Sequence, residues 1–369
     1  MNLDDVAHAR LANQQLTRTA FDTAVEMVRW LVAVQSQDYA GAKWSLGLRL
    51  RPTSDAAIDK AFNDGAILRT HVLRPTWHFV TPDDIRWLLA LTGPRVLAGN
   101  AGMVRQLGLD SAILSRTNDV LAKALAGGRQ LTRNELRDAL ERAGIATHGG
   151  PDRAGQRLAY IVMSAELEGL ICSGPRRGKQ FTYMLLDERA PNAVTMERDE
   201  ALAELTRRYF LSHGPATEYD FSKWSGLTVS DARRGIEAVE GQLRREVVEG
   251  KSYWLPPSLP PARAPSPTAY LLSIFDEYIS GYKDHGAIGD EETAVRLAAM
   301  GNALQNIVVI DGRIVGTFRR VVKTKLALVE LNLFTQLSDA ESMAVQVAVE
   351  QYGQFVGLPT ALARPSIWG

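Results

Sequence analysis

Two glutamines, Gln35 and Gln37, stand at the end of an apolar run from Ala24 to Val34, with Ser36 between them and Asp38-Tyr39 following. A primary amide offers two donor hydrogens and an acceptor oxygen but no charge near neutral pH. It can hold a water or a sugar in place; it cannot serve as a general acid or base. A pair of amides therefore suits a reaction whose leaving group is already activated. On one unbroken helix, at about 100° per residue, the two side chains would point roughly 200° apart. Aiming both into one pocket thus needs the helix to end here, and Gly41 fits such an ending. A polar helix terminus without chemistry is the plain alternative. Asp38 adds a carboxylate, either a counter-charge for a developing cation or a cap for the next segment.

A second group of residues suits a polyanion. Arg69, His71, Arg74, Trp77 and His78 crowd into Leu68–Val80, and Arg176, Arg177 and Lys179 occupy one short turn. Strand alternation from Thr76 to Val80 places Trp77 and Phe79 on a core face and leaves Thr76 and His78 exposed. His71 and His78 have no third ligand nearby, so they are not a metal pair. Asp276, Glu277, Lys283 and Asp284 read as salt-bridged structure. Gly127-Gly128 follows a helix and reads as its terminator, not as a phosphate cradle. No nucleotide, flavin, metal or other cofactor is expected.

The elements that carry these residues follow from pattern. The chain has 369 residues, enough for two to four units, with 42 basic and 42 acidic side chains. That balance argues against an indiscriminate coat for polyanions but permits a local basic face. Its one cysteine, Cys172, excludes a disulfide or a cysteine-based metal site. Met1-Asn2-Leu3-Asp4-Asp5 lacks the basic start and apolar core of a signal peptide, and no stretch approaches about 18 uninterrupted apolar residues. A cytoplasmic, monomeric protein is expected.

Helical spacing runs from Phe21 to Val34 and from Ser54-Asp55 to Gly65. Two β runs follow, broken at Arg74-Pro75 because proline sits badly inside a paired strand. A further helix opens at Thr81-Pro82-Asp83-Asp84 and ends at Gly93-Pro94. The plan then repeats: helices from Leu114 to Ala126, from the capping box Thr132/Glu135 and from Arg153 to Glu168 precede a hairpin around Arg176-Arg177-Gly178-Lys179. It repeats again with helices from Glu197, Glu218 and Ser230 and a hairpin across Glu249-Gly250. The proline-rich Pro256–Pro267 is a stiff linker. Beyond it lie strands, with Asp311-Gly312 as a hairpin turn, and a closing helix capped by Ser338. The fold expected is α+β. Three tandem winged helix-turn-helix units (residues 1–107, 108–192 and 193–257) precede a C-terminal antiparallel β-barrel-like domain (268–369).

Several stretches in this order resemble the AlkZ-type tandem winged-helix DNA glycosylases, which remove alkylated bases and unhook interstrand crosslinks. They are Gln35-Ser36-Gln37-Asp38-Tyr39 with Gly41-Ala42-Lys43-Trp44-Ser45-Leu46-Gly47-Leu48-Arg49; Leu68-Arg69-Thr70-His71 with Arg74-Pro75-Thr76-Trp77-His78; Pro82-Asp83-Asp84-Ile85-Arg86-Trp87; Phe275-Asp276-Glu277-Tyr278 with Gly281-Tyr282-Lys283-Asp284; and Asp311-Gly312-Arg313-Ile314-Val315-Gly316. The resemblance implies a C-shaped cleft for duplex DNA and a catalytic Gln-aliphatic-Gln motif. This chain keeps both glutamines but carries Ser36 between them. The implied catalytic residues are Gln35 and Gln37, joined by Asp38. Arg69, His71, Arg74, Trp77, His78, Arg176, Arg177 and Lys179 are the candidate DNA contacts.

The chemistry agrees with the residues. A purine alkylated at N7 or N3 is cationic, so its glycosidic bond is weakened and needs no general acid. Gln37 would position the water and Gln35 the sugar or phosphate. The expected function is hydrolysis of the N-glycosidic bond of such purines, or unhooking of crosslinks, in double-stranded DNA. The competing expectation is a non-catalytic winged-helix DNA-binding protein, a regulator or accessory repair factor.

Overall fold

The computed structural model describes residues 1–149, 155–258, 265–299, 306–363 and 366–367. The expected helix start at Arg153 and the middle of the Pro256–Pro267 stretch lie outside the described residues. The chain divides into two compact units, the first made of residues 1–59, 205–224 and 229–369 and the second of 60–204 and 225–228.

The first unit is built on a six-stranded sheet. Ala269–Leu272, Asn306–Ile310, Arg313–Lys323 and Leu326–Leu333 pair antiparallel in that order. Asp311 and Gly312 turn the central hairpin, both at positive φ (49° and 89°), the backbone that a two-residue turn of this twist requires. Two short strands, Thr360–Leu362 and Ser366–Ile367, add to Leu326–Leu333 in parallel. The sheet is therefore mixed where an antiparallel one was expected, because the closing helix is a crossover that brings the chain back to the sheet running the same way as Leu326–Leu333. Along Leu326–Leu333 burial alternates strictly, with Ala327, Val329, Leu331 and Leu333 inside. Burying each of the larger side chains contributes about 1.5–3 kcal/mol, and a one-residue slip would turn them all outward. That pattern fixes the register.

Tyr270, Leu272, Ile307, Val309 and Ile314 from the sheet close a core with Leu11, Tyr278 and Ile288. The helix Asp339–Val356 begins at Ser338, whose hydroxyl and the Glu341 carboxylate form the reciprocal cap expected of that sequence. The same unit holds helices Leu3–Asn13, Ala24–Leu31 and Tyr39–Gly47 and the hairpin Arg244–Val248/Lys251–Leu255.

The second unit carries two hairpins among helices. Leu68–Val72 pairs with Arg74–Val80. Ile171–Arg177 pairs with Gln180–Leu185, which also takes on the short strand Leu131–Thr132. Leu121, Leu125, Leu136, Leu140, Ile161 and Ile171 form its core. Two proline readings are corrected. The first hairpin turns at Leu73 (φ 63°), and Pro75 lies inside the second strand, where the register skips from Val72↔Arg74 to His71↔Trp77. A bulge needs no N–H there, so proline costs nothing. The helix expected to end at Gly93-Pro94 runs from Ile85 to Gln106. Val96 packs with Met163 and Leu167, and Gly93 lies so close to the Leu167 carbonyl that a Cβ would sit 2.7 Å from it. Packing beyond the proline outweighs the one hydrogen bond it removes.

Candidate active site

The helix before the glutamines stops earlier than its apolar pattern implies. Ala24–Leu31 is capped reciprocally by Thr23 and Glu26 and ends at Val32, whose φ of 71° and ψ of −50° break the helical path. Val34–Gln35 is then extended, and Asp38 takes the N-cap position of helix Tyr39–Gly47. The helical spacing that would aim Gln35 and Gln37 apart therefore does not apply, because the helix ends before both; the strand stops at Gln35 and the chain bends at Gln37. Ser36 is fully buried, Gln35 nearly so, and Gln37 is exposed. Gly41, read as a terminator, sits inside the next helix. Its bare Cα allows the Asp38 carboxylate to approach, since a Cβ would lie 2.6 Å from Asp38 Oδ2, and its carbonyl accepts the Ser273 hydroxyl at 2.8 Å.

Beneath this segment lies a buried ionic layer. The Gln35 main-chain N–H donates to Glu277 Oε1 at 2.9 Å. Glu277 Oε2 accepts the Trp224 indole N–H at 2.9 Å and faces His213 Nε2 at 3.4 Å. Beside it, Arg49 grips Asp276 with both terminal nitrogens, at 2.9 and 2.7 Å, and also donates to the Ser45 carbonyl and to Gln14 Oε1. Burial pushes the His213 imidazole below its ordinary value, against the pull of the Glu277 carboxylate. The Asp276 reading as salt-bridged structure agrees with this geometry. Glu277 does not follow it, since main-chain and indole donors hold that carboxylate. The motif Phe275-Asp276-Glu277-Tyr278 is visible in the sequence, but nothing in it distinguishes the two acids. His213 and Trp224 carry no local signal of their own.

Asp38 is half-buried and accepts from Arg320 Nη2 at 2.9 Å. Its charge is thus matched at the edge of the site, and its side chain does not cap the helix. What this segment exposes is Gln37, next in the chain to the Asp38–Arg320 pair.

The second group of predicted residues lies in the other unit and is sorted by burial. Arg69, His71 and His78 are buried. Arg74, Trp77 and Arg176 are half-buried, and Arg177 and Lys179 are exposed. The outward placement of His78 is corrected: helices cover the base of this hairpin and every residue of Leu68–Val72 is buried, so alternation no longer reports exposure. Arg69 joins the two hairpins. Its N–H donates to Ser173 Oγ at 2.8 Å, and its guanidinium lies between the Trp77 and Phe181 rings, 4.4 Å from each. The His71 ring packs at a tilt of 41° against Trp77, centroids 4.2 Å apart, and bonds the Glu166 carboxylate through Nδ1. His78 Nδ1 bonds the Thr76 carbonyl.

At the second hairpin, Arg176 stands over Phe181 and Arg177 donates to Glu135 Oε1 and the Gln130 carbonyl, each at 2.8 Å. The Thr132 N–H, followed by Arg177, holds the Glu135 carboxyl down at about 2. Among the described residues no cluster of three or more potential metal ligands occurs, and no helix is long and apolar enough to cross a membrane.

Residues 28–355 match the AlkZ-like DNA glycosylase family, and the chain belongs to it. Its members are hydrolases of N-glycosyl bonds in DNA. The chain is similar to the interstrand DNA cross-link repair glycosylase of Streptomyces sahachiroi, 26% identical over 373 residues and covering 96% of this chain and 95% of that one. The solved structure of Streptomyces sahachiroi DNA glycosylase AlkZ has the same fold, with a TM-score of 0.79 at 23% identity over 98% of this chain and 100% of that one.

Proposed function

We propose that this glycosylase releases cationic alkylated purines, or unhooks interstrand crosslinks, in duplex DNA, with Gln37 orienting the attacking water and Gln35 steadying the sugar or phosphate. The observation that carries this reading is the Gln35-Ser36-Gln37 segment itself: a non-helical stretch between two helices, with Gln35 and Ser36 buried and Gln37 open to solvent. An N7- or N3-alkylated purine already bears the positive charge that a general acid would otherwise supply. Departure of the base leaves an oxocarbenium-like sugar, and a fixed amide can lower the barrier by orienting water without changing protonation. Asp38 lends a carboxylate at the rim, moderated by Arg320. The crosslink arm draws on the Streptomyces relative, an interstrand cross-link repair glycosylase.

In this reading the three hairpins are the wings of tandem winged-helix units, residues 1–107, 108–192 and 193–257, ahead of a C-terminal domain at 268–369. The protein works as a cytoplasmic monomer without metal or cofactor. Arg74, Trp77, Arg176, Arg177 and Lys179 meet the DNA, while Arg69, His71 and His78 brace them from behind.

The deciding measurement is single-turnover base release from duplex DNA carrying N7-methylguanine. Gln37→Ala is expected to slow it by about 100-fold or more, on the scale of losing one fixed hydrogen-bonding group in an active site. Duplex affinity and melting temperature should stay near wild type, since surface substitutions shift stability by no more than about 0.5 kcal/mol. Uracil, a neutral leaving group, should be released poorly. Full activity in Gln37→Ala sinks the glutamine mechanism. Tight duplex binding by the wild type with no base release would favour the non-catalytic DNA-binding reading.

A further inference from the structure

The chemistry above leaves one buried acid without a role. Glu277 is fully buried, and its carboxylate gathers the Gln35 main-chain N–H, the Trp224 indole and the His213 ring. Its own carbonyl accepts from Gln14 Nε2 at 3.2 Å. Two backbone positions on either side of the Gln35–Glu277 contact are strained. Val32, three residues before Gln35, has φ 71°, and Phe275, two residues before Glu277, has φ 67°. Neither is a glycine, and a β-branched or aromatic side chain resists that region. Such conformations persist only where the surroundings over-determine them, and they collect at sites whose geometry matters.

We infer that Glu277 is a positioning residue for the glutamine motif, its carboxylate fixing the main chain of Gln35 so that the amides of Gln35 and Gln37 meet the sugar and water in register. The inference rests on the proposed function for its catalytic consequence, but not for the contact itself. A carboxylate fits the task because it accepts only, with lone pairs enough for several donors. A glutamine in its place keeps the size but turns an NH2 group toward at least one N–H donor.

The test pairs kinetics with amide hydrogen exchange on the full-length protein. In Glu277→Gln, single-turnover release of N7-methylguanine should fall by about 30- to 100-fold, the penalty of a displacement on the order of 1 Å at a reacting centre. Duplex Kd should change by less than about threefold, because no DNA contact is removed. Exchange at the Gln35 amide should quicken by about tenfold or more, while the amides of Ala24–Leu31 keep their wild-type rates. Glu277→Asp, which keeps the charge but withdraws the carboxylate by one methylene, should move both readouts the same way and serves if the glutamine variant does not fold. Val349→Ala, a fully buried valine on the helix Asp339–Val356, supplies a destabilised control with unchanged Gln35 exchange.

An unaltered Gln35 exchange rate in both Glu277 variants overturns the inference. So does a loss of rate in Val349→Ala that tracks melting temperature as it does in Glu277→Gln, since the role would then be merely structural. A wild-type protein that releases no base would refute the proposed function, and the exchange data would still decide whether Glu277 holds Gln35.

Discussion

The glutamine segment and the cationic hairpins use charge in opposite ways. Under Gln35 and Gln37 the ions are buried and matched: Arg49 with Asp276 has no exposed side-chain surface on either partner. What reaches solvent there is a neutral amide. On the second hairpin Arg177 and Lys179 stand outside, Arg177 held by the exposed acid Glu135, while Arg176 is half-buried over Phe181. A buried pair is costly to assemble and more costly to break, but it holds geometry. An exposed cation holds little geometry and remains available to a phosphate. The first arrangement suits a step that depends on the placement of a neutral group; the second suits affinity for a polyanion.

Breaking one ion pair in each region tests this contrast most strongly. Asp276→Ala strands the Arg49 guanidinium in the core and also removes the acceptor that the Tyr278 N–H uses. It should lower the unfolding free energy by about 3–5 kcal/mol. Arg177→Ala, which opens a pair with side chains 55% and 41% exposed, should cost at most about 1 kcal/mol. Urea or guanidinium midpoints measure both. Similar losses from the two variants would show that the buried layer is no more structural than the surface.

The converse experiment reads affinity. Replacing Arg176, Arg177 and Lys179 together with alanine should weaken duplex binding and flatten its salt dependence. Each lost phosphate contact reduces the log–log slope by about 0.9. Arg177 is already engaged by Glu135 and the Gln130 carbonyl, so the expected reduction is nearer two contacts than three. Titration of Kd against salt from low to physiological ionic strength checks it, and an unchanged slope would place this hairpin away from the DNA.

These two regions were not equally legible in the sequence. The hairpins, their turns at Gly178-Lys179 and Asp311-Gly312, and the caps at Thr132 and Ser338 follow from local rules, because the residues that make each feature are neighbours in the chain. Local rules failed where tertiary packing decided. Periodicity carries the helix that starts at Ala24 to Val34, whereas a positive φ at Val32 ends it, and no residue type announces a strained valine. Pro94 looked like a stop, yet packing beyond it keeps the helix intact. Alternation places His78 outside, but it reports burial only when one face of a strand is wet. Glu277 groups with its charged neighbours in the sequence because its donors, at Gln35, His213 and Trp224, lie far away along the chain.

The smallest expected effect concerns His213, which lies within the buried layer. Its ring stacks on Tyr209 with centroids 4.8 Å apart and is bonded to Ser212 through Nδ1. Glu277, Arg49 and Tyr282 are the other ionisable groups acting on or facing it. Burial lowers its folded-state pKa beneath the ordinary 6.5, although Glu277 pulls the other way. Below that ordinary value the unfolded chain binds a proton that the native protein refuses. Stability from this group is therefore complete above about pH 6.5 and declines as pH falls toward the folded value, with a slope of at most about 1.4 kcal/mol per pH unit. His213→Gln cannot titrate, so its unfolding free energy should depend less steeply on pH between about 5 and 7 than that of the wild type. Comparing the two slopes cancels the other titrating groups. If the wild type is instead the one that gains relative stability as pH falls, the ring is protonated in the native state. The Glu277 carboxylate would then bind a cation there, and the layer beneath the glutamines would be held by a second buried ion pair.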